Sequence, residues 1–431
     1  MIKSKQMLAF GMVAALGVAA CGSDDDGGTT DEPDTTEAME EEAEEAPTTE
    51  AMEEDAEEGD DAMEEDADAM EEGDDAMEED AEEGDDAMEE DGEDAAIAEG
   101  EGEAMGGDVG SFGLTYDIGG KGDQSFNDSA FAGAERVESE LGISFTEASP
   151  NDDGSNRGEL LQLQADEHPL VVGVGFAFAE EFPGVAENNP DTMFAVIDDA
   201  LLDFEAEGGP ASLCDNCAGL TFAEEQGSFL VGAAAALQSE TGTIGFIGGV
   251  SGFGLIEKFE AGFQAGAQAV NPDIEIVSQY ITEFPDFDGF TAPDRAREVA
   301  SAQYEGGADV IYHAAGLSGN GLFEAAKEQS DLTGTKVWAI GVDSDQYNTV
   351  DAELQEFILT SMLKRVDTAV FEITESAANG EFMPGNTVYD LSVDGVGYST
   401  SGGFVDAYVD QLEEFKTQIV DGTIEVPTEP S

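Results

Sequence analysis

From Phe112 onward, short apolar runs alternate with stretches of helical spacing, and several of the runs stop on an aspartate or a glycine. The first run places Phe112, Leu114 and Tyr116 between Gly113 and Thr115 and ends on Asp117. A loop dense in glycine covers residues 118–123, and Ser125, Phe126 and Asn127 open a segment of helical period. Strand, loop and helix is the predicted order. The same alternation predicts helices from Ser129 to Leu141, Asn156 to Asp166 and Ala179 to Asn188, with strands at Ile143 to Phe145, Leu170 to Val174 and Phe194 to Ile197, the last stopping at Asp198. A small-residue helix from Glu224 to Gln238 then opens a second half of the same kind. Its strands at Val310 to Ala314 and Val337 to Gly341 run into Gly316 and Asp343. Repeated strand–helix units imply a parallel sheet with helices on both faces.

In such sheets ligands bind beyond the carboxyl ends of the strands. Asp117, Asp198, Gly316 and Asp343 all fall there, two from each half, so facing halves would bring them into one cleft. With Phe126 and Asn127 they describe a pocket for a flat, polar, uncharged molecule: carboxylates accept from donors, a ring offers an apolar face, and an amide reads both. The alternative at this point is that Phe126 belongs to the core and Asp117 caps a helix. Lys364, which follows Thr360 to Leu363, could donate to a ligand oxygen or balance Asp343.

Charge changes the picture next. The chain carries 13 basic and 101 acidic side chains, a formal charge of −88, which repels nucleic acid and anionic headgroups. From Gly22 to about Gly110 there is no Lys, Arg or aromatic residue. Such a segment buries too little apolar surface to offset the entropy of ordering it, so residues 22–110 are expected to form a disordered acidic tether. Ala-Met-Glu-Glu recurs within it, the last five copies starting 11, 7, 7 and 11 residues apart. These are coiled-coil periods, but like-charge repulsion opposes pairing. A flexible tether of that length spans roughly 50 Å. The acidic excess continues beyond it, which fits work in salty surroundings.

Residues 1–21 read as an export signal: Lys3 and Lys5, then an apolar run from Met7 too short for a membrane span, then small residues before Cys21. The Val18-Ala19-Ala20-Cys21 box resembles a bacterial lipoprotein cleavage site, which implies lipidation of Cys21. Outside the cytoplasm, Cys214 and Cys217 are expected to form a structural disulfide rather than a redox site, and no second Cys or His pair accompanies them for zinc. His168, before Pro169, is expected at the surface, and His313 inside a strand without a neighbouring nucleophile. Neither supports catalysis, GLSGNG at Gly316 has the wrong spacing for a dinucleotide loop, and no metal or other cofactor is expected.

The runs DIGGKGDQSFN from Asp117, GFIGG from Gly245, FEAGF from Phe259, GGADVIYHAAG from Gly306, WAIGVDSDQ from Trp338 and TSMLKRVD from Thr360 resemble the basic membrane protein family. These are lipid-anchored substrate-binding proteins of ABC transporters, typified by purine-nucleoside receptors. The resemblance implies a type I periplasmic-binding-protein fold: two doubly wound α/β lobes joined by hinge crossovers. Lobe 1 would take about 111–222 plus a crossover segment after 345, and lobe 2 about 223–344 plus the C-terminal segment. It implies that Phe126 stacks on a base, that Asn127 and Asp198 bond its edge, and that Asp117, Gly316, Asp343 and Lys364 hold a ribose. The second stacking ring would come from Phe284, Phe287 or Phe290, with Phe290 first. A nucleoside, an ABC permease and ATPase, and the membrane through Cys21 are the implied partners of a monomer on the outer face of the cell membrane. A sugar-like ligand, or a sensor in place of a transporter, is the alternative.

Overall fold

Buried on four of its five residues, β1 (Ser111–Thr115) is the strand from which lobe 1 grows. The computed structural model describes residues 104–431 apart from 152–153, 205 and 207–208. The signal, Cys21 and the tether up to residue 103 lie outside the described residues.

After β1 come α1 (Phe126–Leu141), β2 (Ser144–Ala148), α2 (Arg157–Glu167), β3 (Leu170–Gly173), α3 (Phe182–Asn188) and β4 (Met193–Ile197). A small antiparallel pair, β5 (Leu202–Asp203) and β6 (Ala211–Ser212), leads to β7 (Cys217–Phe222). Then follow α4 (Glu224–Gln238), β8 (Thr243–Ser251), α5 (Leu255–Val270), β9 (Glu275–Glu283), α6 (Pro293–Glu305), β10 (Val310–Ala314), α7 (Asn320–Thr333), β11 (Trp338–Asp343) and β12 (Ile358–Lys364). The chain closes with α8 (Val366–Asn379), β13 (Gly385–Tyr389), β14 (Val396–Tyr398) and α9 (Val409–Val420).

Two six-stranded sheets result, ordered β13-β7-β4-β3-β1-β2 and β14-β12-β11-β10-β8-β9. All their pairings are parallel except β12 with β14. The chain passes between lobes at Ala223, Arg365 and Asp390, and the passages are tied together: Ala223 N donates to Tyr389 O at 3.1 Å and Arg365 N to Gly395 O at 2.9 Å. The return to lobe 1 falls at Arg365, because β12 pairs with β11 and stays in lobe 2. α8 then packs on α1, where Gly133 lies against the backbone of Asp367.

Several elements were not legible from apolar period. β7 is one, and at Gly219 it passes directly beneath the backbone of Asp199 and Ala200. β13 is an edge strand with exposed Thr387 and Val388. The tether boundary also moves. Met105 pairs with Phe382 through bonds of 2.9 and 3.1 Å, and Val109 is buried, so the described residues of 104–110 belong to the folded part. Met105 and Val109 supply the apolar groups that the acidic repeats lack. Cys214 and Cys217 are joined as a disulfide at the start of β7.

In lobe 2, α4 and α5 approach until Gly232, Gly262 and Gly266 meet the partner helix backbone, where any Cβ would collide. Small residues there let two helices fill the space beside the sheet without voids.

Candidate functional site

The loops at the carboxyl ends of both sheets enclose one cleft of about 700 Å³, part of it open to solvent. Asp117, Phe126, Asn127, Asp198, Phe290, Gly316, Asp343 and Lys364 all line it. Phe126 is half-buried at the cleft and Asp117 caps no helix, so the core-and-cap alternative does not hold.

The cap of α1 is Asp123, which also lines the cleft. Its carboxylate accepts from the backbone N–H of Ser125, Asn127 and Asp128 at 2.9, 2.8 and 3.1 Å, satisfying donors that a helix start leaves open. It also accepts from Asn127 Nδ2 at 3.0 Å, while Asn127 Oδ1 accepts from Asp117 N at 3.0 Å. Asn127 therefore locks the strand end to the helix start, and one amide N–H is left for a ligand. Asp117 Oδ1 accepts from Ile118 N at 2.7 Å, and Gly175, at φ 105°, gives its carboxylate room that any Cβ would fill.

Lys364 does not balance Asp343 by contact. Its ammonium lies 2.6 Å from Asp198 and 3.4 Å from Glu224, and Glu224 lies 3.3 Å from Lys258. Burial favours the neutral amine, but Asp198, Glu224 and Asp343 outweigh it and hold the Lys364 pKa above its usual value. Burial raises Asp198 against the pull of Lys364. Asp343 instead accepts from Ser125 Oγ of lobe 1 at 2.5 Å, and burial pushes its carboxyl up to about 7 despite Lys364 and Ser125. Further bonds join the lobes here, among them Ser344 Oγ donating to Ser125 O at 2.9 Å and Gln346 Nε2 to Gln124 O at 3.1 Å.

Rings complete the lining. Phe126, with the Lys364 ammonium 5.0 Å from its centroid, and Phe176 come from lobe 1, and Phe259, Phe287 and Phe290 from lobe 2. Phe176 stacks across the cleft on Phe253 at 4.7 Å. Phe290 lies on Gly249, a position where a Cβ would strike its ring. Phe284 is 54% exposed and off the cleft, so two of the three aromatics named for the second stacking position remain, Phe287 and Phe290. Phe176 and Phe259 were missed. Phe259 opens FEAGF and carried a signal, whereas Phe176 lies in an apolar stretch that reads as core.

The histidines stand apart from the cleft. His168 is buried, not superficial, because Ser111 Oγ and Thr146 Oγ1 hold its two nitrogens at 2.8 and 2.7 Å. His313 sits inside β10 with Nε2 3.0 Å from Gln346 Oε1, and burial lowers it to about 4. Among the described residues no cluster of His, Cys, Asp and Glu could hold a metal ion, and no helix is long and apolar enough to cross a membrane.

A profile of the family described as Bmp, ABC transporter substrate-binding protein PnrA-like, matches residues 113–429. A CD4+ T-cell-stimulating antigen of Listeria monocytogenes is 35% identical over 74% of this chain and 88% of its own. The ABC transporter nucleoside-binding protein BmpA of Lactococcus lactis is 32% identical over 73% of this chain and 88% of its own. Among solved structures, a solute-binding protein of an ABC transporter system from Aeropyrum pernix superposes with a TM-score of 0.62 at 27% identity, over 74% of this chain and 94% of that one. With a family match spanning both lobes and a cleft built between them, the chain belongs to the Bmp family of PnrA-like ABC transporter substrate-binding proteins.

Proposed function

We propose that this binding protein captures a neutral nucleoside, a purine nucleoside first, and delivers it to an ABC permease and its ATPase. The observation that carries the reading is the pairing of rings with carboxylates around one cleft whose lining cation, Lys364, is already taken by Asp198 and Glu224. Rings on a base contribute about 1–3 kcal/mol per base. Asp117 and Asp343 accept from ribose hydroxyls, Gly316 lets the sugar approach the backbone, Asn127 and Asp198 meet the base edge, and Phe126 with Phe290 or Phe287 covers its faces. A phosphate would meet Asp117, Asp123, Asp198 and Asp343, so nucleosides bind and nucleotides do not. The name of the Lactococcus lactis relative, a nucleoside-binding protein, supports the same ligand.

Cys21, lipidated after removal of residues 1–20, would anchor a monomer on the outer face of the cell membrane, and the acidic segment would hold the lobes off its surface. Calorimetry of the purified protein against nucleosides, nucleotides, free bases and pentoses tests the ligand. Binding confined to nucleosides is expected; binding of pentoses alone would replace the reading with a sugar receptor. Native mass spectrometry of freshly isolated protein identifies the molecule retained.

A further inference from the structure

The chain has 13 basic side chains, and two of them meet carboxylates at the strand ends of lobe 1: Lys364, from β12 of lobe 2, against Asp198, and Arg157 against Asp117. The second pair has no place in the roles given above. Arg157 opens α2 with its side chain 13% exposed, and its Nη2 lies 3.7 Å from Asp117 Oδ1, an ion pair beyond hydrogen-bond reach. Nη1 reaches Gly154 O at 3.4 Å, and Nε and Nη2 are buried without a hydrogen-bond partner among the described residues. Phe178 faces the guanidinium at 5.7 Å. A buried guanidinium with two unused donors is costly unless its charge is used. The group it can serve is Asp117.

Among the described residues, the charged groups that act most on Asp117 are Arg157 and Asp198. Burial pushes the Asp117 carboxyl up to about 6, the Ile118 N–H and Arg157 oppose the rise, and Asp198 adds to it. Without the guanidinium the carboxyl would be pushed further up, towards its protonated form. A protonated Asp117 presents a donor where a ligand hydroxyl or N–H also presents one.

We propose that Arg157 is a specificity-determining positioning residue, which holds the Asp117 carboxylate in place and charged so that the cleft selects a hydrogen-bond donor of the ligand at that position. The inference rests on the nucleoside reading. Arg157 touches Asp117 and does not line the cleft, so it acts through that carboxylate.

Calorimetry with adenosine between about pH 5.5 and about 8.5 tests it on the wild type, Arg157→Gln, Arg157→Lys, Asp117→Asn and the Asp117→Asn/Arg157→Gln double variant, after a melting curve for each. Asp198 and Asp343 titrate in the same window in every variant, so the displacement between profiles reports on Arg157. Arg157→Gln is expected to weaken binding at least about fivefold at neutral pH and to recover most of it at the alkaline end, since affinity falls as pH drops through the raised Asp117 pKa. Arg157→Lys keeps the wild-type midpoint, and in the Asp117→Asn background Arg157→Gln adds nothing. An unchanged Arg157→Gln profile overturns the proposal, as does a loss equal at every pH and undiminished in the Asp117→Asn background. Should Arg157→Gln not fold, a displaced midpoint in Arg157→Lys overturns it. A wild type that binds no nucleoside overturns the nucleoside reading and this inference with it, whereas the former outcomes overturn the inference alone.

Discussion

Asp198 follows β4 in lobe 1 and Asp343 ends β11 in lobe 2, strands that hold the same place in their two sheets, and both residues take a positive φ, 70° and 62°. A non-glycine residue in that region costs of order 1–3 kcal/mol, and such strain persists where surrounding structure imposes it. The backbone device is the same, but the neutralisation is not. Asp198 meets a buried ammonium contributed by β12, and Asp343 meets the Ser125 hydroxyl across the cleft. The lobe 2 ammonium therefore settles Asp198 further than the hydroxyl settles Asp343: against burial, Asp198 is held at about 6 and Asp343 rises to about 7.

The largest effect should come from breaking the settled side. Lys364→Met leaves Asp198 and Glu224 buried without their shared cation and is expected to cost about 3–5 kcal/mol of stability, read as a lowered denaturation midpoint. A midpoint within error of the wild type would mean that the two lobes neutralise their carboxylates alike. On the unsettled side, Asp343→Ala and, at the neighbouring ring, Phe126→Ala should each weaken nucleoside binding at least tenfold, about 1.4 kcal/mol, with little change in stability. Calorimetry giving wild-type affinity for both would remove the site.

pH separates the two sides next. The folded-state pKa of Asp343 is raised to about 7, so its contribution to stability is fully present below the ordinary carboxylate value and is lost as pH rises towards 7. Asp343→Asn removes that dependence. Its stability relative to wild type should climb from about pH 4 to about pH 7 in melts without ligand, and a flat difference would mean that Asp343 titrates in the fold as an ordinary carboxylate. Salt should have the smallest differential effect. The acidic surface gains from screening, so wild type and Asp343→Asn should both melt higher in molar salt by the same increment, because the buried carboxylate is out of reach of ions. No gain in either would remove the case for a protein adapted to salty surroundings.

Most strands that carry the site were legible because they are buried on both faces and read as unbroken apolar runs, as with Val310–Ala314 and Met193–Ile197. Glu224 and Arg157 were not. Each belongs to a helix start, where a charged residue is ordinarily a solvated end, and nothing in the neighbouring residues tells that the helix end is buried. Ser125 was visible only as the opening of a helix, since its partner Asp343 is 218 residues distant. His168 read as superficial beside Pro169 because Ser111 and Thr146, which enclose it, lie on two other elements.

The order of strands and helices, the positions of Asp117, Asp198, Gly316 and Asp343 at strand ends and the acidic segment before them follow from local composition and period, which neighbouring residues are enough to impose. Which carboxylate meets a cation, which meets a hydroxyl and which rings face one another required the two sheets to be brought together. Those contacts join residues far apart in the chain, and the burial that sets their charge exists only once both lobes enclose the cleft.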